Sequence, residues 1–179
     1  KRKARQWFEK AVAEAKAERF VAAAEAFDAS YDAIPAAATL FNAAWAYDHG
    51  QDWVRATQRY RSYLARYPND ADAAEVETSL VRVEAEVGEL RVRVVGGRAP
   101  LVLRIGGELT ELDGPPLVML PGLVRVEVAD ATGQKRIEEV QLRAGQRSTV
   151  ELTLAVMRPR EGEGEGGGEG EGDGIEGPA

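Results

Sequence analysis

The sequence predicts an α+β chain with two ordered modules and a tail. An array of helical hairpins (about five helices) precedes a small all-β antiparallel sandwich, and a disordered segment closes the chain. Three observations carry this. A signature of large, small and proline positions returns after 33 residues in the first half. After Gly88 the apolar period drops to two, the spacing of a half-buried strand. From Glu161 onward Glu and Gly alternate with almost no apolar residue. The segments are residues 1–87, 88–157 and 158–179.

In the first segment Trp7, Ala11, Ala23, Phe27, Ser30 and Pro35 recur as Leu40, Ala44, Ala56, Tyr60, Tyr63 and Pro68. A fixed period of this size marks stacked helical hairpins, none of which buries its apolar face alone. The first hairpin covers residues 4–33, with Trp7, Phe8, Ala11, Val12 and Ala15 at helical spacing, then Phe20, Ala23, Ala24 and Phe27. Pro35 stops it, because its ring interrupts the helical ladder. The second occupies 38–49 and 52–66, with Gly50 at the turn and Tyr67–Asp70 as the stop. A third stretch runs from Asp70 to about Val87, and Val76, Leu80, Val83 and Val87 make one apolar stripe. One packing face and one charged face suit a terminal cap on the stack.

Strand-like runs follow at 90–94, 101–105, 117–120, 123–128, 136–142 and 148–154, separated by Gly- and Pro-containing turns. Short strands with a turn every 8–12 residues indicate a sandwich or barrel. Gly88 is the only candidate hinge, so the modules are expected to join rigidly. The tail cannot bury enough surface to offset its ordering entropy and is expected to be a flexible, self-repelling linker.

The net charge of -7 belongs to that tail: residues 1–160 balance 23 acids with 23 bases. No basic footprint for nucleic acid exists. The chain has no Cys, which excludes disulfides, zinc–thiolate clusters and thiol nucleophiles. No run approaches the ~18 apolar residues of a membrane span. The chain opens on Lys1, and the expectation is a fragment or processed form whose leader or anchor lies outside it. All 12 aromatic residues fall between Trp7 and Tyr67, so the strand module has no ring for stacking on sugars or bases.

The first half resembles tetratricopeptide repeats over about residues 4–70, through the repeated signature together with Tyr47 and Trp53; Tyr63 stands where that family usually has a small residue. The segment YRSYLARYPNDADAAE is similar to the closing repeat of bacterial cell-envelope tetratricopeptide proteins. The second half resembles a PEGA domain, through GELRVRV (88–94), LPGLVRVEV (120–128) and RAGQRSTVELTL (143–154). Leu120-Pro121-Gly122-Leu123 keeps only the Pro-Gly core of that family's tetrapeptide. The resemblance implies a bacterial cell-envelope protein, periplasmic or otherwise extracytoplasmic, with the tail as a spacer toward a membrane anchor.

Candidate chemistry is sparse. His49 is the only histidine and has no second nitrogen or sulfur ligand to complete a transition-metal site. No Ser lies in a Gly-x-Ser-x-Gly elbow. Gly162, Gly164 and Gly167 match a dinucleotide fingerprint by composition alone, with no strand before them and no helix after. The tail carboxylates lack a fixed calcium cage. Arg91, Arg93, Arg104 and Arg125 read as a solvated strand face balanced by Glu89, Glu127 and Glu151. We therefore expect no catalytic residue, no cofactor and no metal.

The repeat alignment puts Arg5, Phe8, Val12, Lys16, Phe41, Asn42, Trp45, Asp48 and His49 on the inner side of the array. Phe8, Phe41 and Trp45 would form an apolar strip for an unidentified protein or peptide, or else pack on neighbouring helices. Phe8 and Val12 occupy two positions that a carboxylate-gripping clamp needs as polar residues, so that clamp is not supported. The function expected is a non-enzymatic envelope scaffold that docks a protein on its helices and uses its β module as spacer or anchor. The alternatives are a wall- or glycan-binding surface module and the regulatory region of a larger signalling enzyme such as a Ser/Thr kinase.

Overall fold

A computed structural model describes residues 1–155. Among them are five helices: α1 (Arg2–Lys16), α2 (Phe20–Ala33), α3 (Ala37–His49), α4 (Trp53–Arg66) and α5 (Ala73–Glu84). Seven strands follow: β1 (Gly88–Gly96), β2 (Val102–Ile105), β3 (Glu108–Thr110), β4 (Leu117–Met119), β5 (Gly122–Ala129), β6 (Lys135–Leu142) and β7 (Arg147–Leu154). The tail expected at 158–179 lies outside the described residues.

The repeated small residues bring the helices together. Ala11, Ala23, Ala44 and Ala56 are all 0% exposed, and the hydroxyl of Ser30 on α2 donates to the Ala4 carbonyl on α1 at 2.9 Å. The repeated aromatic positions, Phe27 and Tyr60, are buried in the core of the array, Phe27 against Phe8 and Tyr60 bonded to Asp48. Ile34 ends α2 in extended backbone (φ -151, ψ 105), the conformation that Pro35 forces on the residue before it. Asp52 caps α4, its side chain accepting from the Arg55 amide at 3.1 Å. Tyr63, the counterpart of Ser30 in the 33-residue repeat, is buried beside Phe41 and Tyr67 and donates to Asp70 Oδ1 at 2.7 Å. Asp70 thus closes a turn instead of starting a helix, and α5 begins three residues later than the sequence suggests.

The strands form two sheets, ordered β4-β1-β7 and β3-β2-β5-β6, around a core of Leu, Val and Ile. Four strand pairs are antiparallel, as the turn spacing predicts; the fifth, β1 with β7, is parallel over Glu89↔Arg147 to Gly96↔Leu154. The sandwich is therefore mixed, not wholly antiparallel. Strand β3, a three-residue arm of a hairpin around Gly106 and Gly107, also escapes the sequence reading. Its Glu-Leu-Thr holds a single apolar residue and so shows no apolar run, unlike the equally short Leu-Val-Met of β4.

The joint has almost no linker. Val87 and Gly88 are buried, the Gly145 amide donates to the Val87 carbonyl at 2.8 Å, and the Glu89 amide donates to Gln146 at 2.9 Å. A Cβ added at Gly88 would sit 3.1 Å from the Arg143 carbonyl, so glycine allows this close approach. Arg61 on α4 spans the seam, bridging Glu84 at 2.6 Å and Glu89 at 2.9 Å. These contacts tie β1 and the β6–β7 turn to α4 and α5 at the Gly88 joint.

Candidate docking face of the helical array

Helices α1 and α3 supply the residues assigned to the inner side. On α1, Arg5 is exposed and bonded to Glu9 at 2.7 Å, Lys16 is exposed at the end, and Val12 is half-buried against the helical core. Phe8 is 36% exposed, with its ring edge-to-face on Phe27 at 5.3 Å. On α3, Phe41, Asn42 and Trp45 are half-buried. Phe41 meets Tyr63 edge-on at 6.2 Å, and Trp45 meets Phe20 at 5.8 Å. Each aromatic is thus anchored to its own neighbour while part of its surface faces outward. The two readings of the strip are not exclusive.

His49, at the end of α3, stacks on Trp45 at a centroid distance of 3.8 Å, and its Nδ1 lies 2.8 Å from the Trp45 carbonyl oxygen. The imidazole thus covers part of one face of the Trp45 indole.

Asp48 departs from the expected groove. Only 3% of its side chain is exposed. Arg82, arriving on α5, clamps it with both terminal nitrogens, Nη1 donating to Oδ1 at 2.9 Å and Nη2 to Oδ2, while the Tyr60 hydroxyl donates to Oδ2 at 3.2 Å. Its charge is spent on holding the cap. Arg82 lies between the α5 stripe residues Leu80 and Val83 in sequence, and only its proximity to Asp48 in space reveals the pair.

A second polar network lies between α2 and α4. Arg59 grips Asp28 with Nε at 2.7 Å and Nη2 at 2.9 Å, and the Tyr47 hydroxyl donates to the same carboxylate at 2.9 Å. Arg55 lies over the Tyr47 ring at 4.5 Å and bridges Asp52 and Glu25. Burial, with help from Asp28, pushes the Tyr47 phenol up to about 12, and burial raises that of Tyr60 as well. Both hydroxyls therefore stay protonated donors at any physiological pH. Every buried side-chain polar atom in the described residues has a partner.

On the β module Arg91 and Arg93 are exposed, Arg104 donates to the Gly107 carbonyl at 3.1 Å, and Arg125 lies 3.6 Å from Glu127. Glu127 also meets Lys135 at 2.6 Å, and that lysine holds its carboxyl below the ordinary carboxylate range. Among the described residues no group of three or more His, Cys, Asp or Glu is placed to hold a metal ion, and no helix is long and apolar enough to cross a membrane.

The class defined here is a helical-hairpin array fused to a mixed β-sandwich, with a half-exposed aromatic face on the array. Compared with protein-family models and with curated proteins, the chain finds no match.

Proposed function

We propose that the chain is a non-enzymatic scaffold of the bacterial cell envelope. In this reading the helices are a tetratricopeptide-like array that docks a protein segment on Phe8, Phe41, Asn42 and Trp45, and the strands are a PEGA-like spacer leading to an anchor. The observation that carries it is the parallel β1–β7 pair. Strand β1 enters the sandwich beside the helices, and β7 leaves it beside Gly96. At ~3.3 Å per residue, the exit lies about 26 Å from the entry. A wholly antiparallel return would bring the chain back toward the helices. The sandwich thus works in series, as a rigid spacer between a docking array and whatever follows residue 155. A wall- or glycan-binding module finds less support, because the strand module contains no aromatic residue.

The test is affinity capture from periplasmic and cytoplasmic fractions with the native chain and a Phe41→Ala/Trp45→Ala variant. The proposal expects periplasmic partners that the variant loses; equal recovery by both counts against the aromatic face. Because Phe41 and Trp45 also contact Tyr63 and Phe20, thermal unfolding accompanies the assay. An Arg5→Glu/Lys16→Glu variant alters the same face using two exposed side chains.

A further inference from the structure

A hollow of about 440 Å³ opens on one flank of the sandwich, where β3 of one sheet faces β4 of the other. Both are edge strands with a single neighbour each, so one side of each backbone is left without a strand partner among the described residues. Ile105, Leu117 and Met119 give the hollow apolar walls, and a smaller extension reaches the core side chains Leu90 and Leu103. Its rim is acidic. Glu108 pairs in register with the buried Ile105 and so shares the inward face of β3, and Glu111 lines the same opening. Neither forms an ion pair among the described residues.

We propose that this flank captures an extended segment of a partner protein by strand addition to β3, and that the segment carries a Lys or Arg among apolar residues. The free backbone edge supplies hydrogen bonds to a new strand, and the hollow takes that strand's inward side chains. A base at its centre meets Glu108 and Glu111. The carboxylate on the inner face of a short edge strand also disfavours wholly apolar or acidic strands, so one device gives both recognition and protection from aggregation. A small apolar ligand would leave the edge unpaired and the acids uncompensated, and fits the flank less well. The inference is independent of the helical docking face and adds a second interaction surface to the molecule.

The probe is a capped heptapeptide of alternating Val and Thr with Lys at its centre, titrated into the isotope-labelled chain and followed by amide chemical shifts. Two further peptides carry Glu in place of Lys, or N-methylated central amides. The expected result is saturable binding with shifts confined to β2, β3 and β4, at least tenfold weaker for both altered peptides. In Glu108→Lys/Glu111→Lys, which changes two exposed side chains, the preference reverses and the Glu peptide binds at least tenfold more tightly than the Lys peptide. The proposal is overturned by equal affinity for the Lys and Glu peptides, by undiminished binding of the N-methylated peptide, by shifts centred on the helices, or by no saturation up to millimolar concentration.

Discussion

Replacing Arg82 with Ala strips the buried Asp48 of its cation while keeping the Tyr60 hydroxyl as a donor. Hydrogen bonds to a charged group contribute about 1.5–3 kcal/mol each, and removing one partner of a fully buried pair costs about 3–5 kcal/mol. The upper figure needs discounting, because the Arg82 side chain is 56% exposed and water can approach the vacated side of the carboxylate. The expected destabilisation is about 2 kcal/mol, which for a chain of this size lowers Tm by about 4–8 °C. Urea unfolding by far-UV circular dichroism measures it, together with Asp48→Asn and the Asp48→Asn/Arg82→Ala pair. The double variant should cost less than the two singles added, with a coupling of about 1–2 kcal/mol. An Arg82→Ala chain within about 0.5 kcal/mol of the native one, or singles that simply add, would refute the view that this pair fastens α5 to the stack.

Acidification probes Asp130, whose carboxyl is held below the ordinary carboxylate range first by the Thr132 hydroxyl, then by the amides of Arg98, Thr132 and Gln134. A lowered carboxyl contributes stability above about pH 4 that is lost as pH falls through the folded value, so the urea midpoint of Asp130→Asn should decline less steeply below pH ~4 than that of the native chain. Gly97 and Gly133 both have positive φ, +77 and +85, but a Cβ at Gly97 would meet Leu154 Cδ1 at 2.8 Å while one at Gly133 meets nothing within 4 Å. Gly133→Ala should therefore cost about 1 kcal/mol of backbone strain, and Gly97→Ala about 1–2 kcal/mol more through overpacking, both read from thermal unfolding. Arg61→Ala removes half-exposed bridges worth less than about 1 kcal/mol each but leaves the Gly145–Val87 and Glu89–Gln146 backbone bonds. Amide relaxation should still report one tumbling unit; separate correlation times for helices and strands would contradict a rigid joint.

Much of the helical array was legible because helical periodicity assigns residues to faces. Phe8, Phe41 and Trp45 are partly exposed on their helices. Asp48 shares their helical position, yet it is withdrawn by an arginine 34 residues away, a distance over which no local pattern carries information. The acidic hollow was equally invisible, since it needs the three-residue β3 and the edges of two different sheets to be brought together.

The sequence by itself determined the tandem hairpins, the ring-free strand module and the boundary at Gly88. Each follows from short-range chemistry: apolar spacing, proline and glycine backbone limits, and local composition. Tertiary structure alone decided that β7 runs parallel to β1 and that Arg82 closes over Asp48. Alternating residues look the same whichever way their partner strand runs, and an ion pair depends on where two distant helices come to rest. Strand direction is chosen by how both sheets cover one shared core, a property of the assembled layers that no single segment contains.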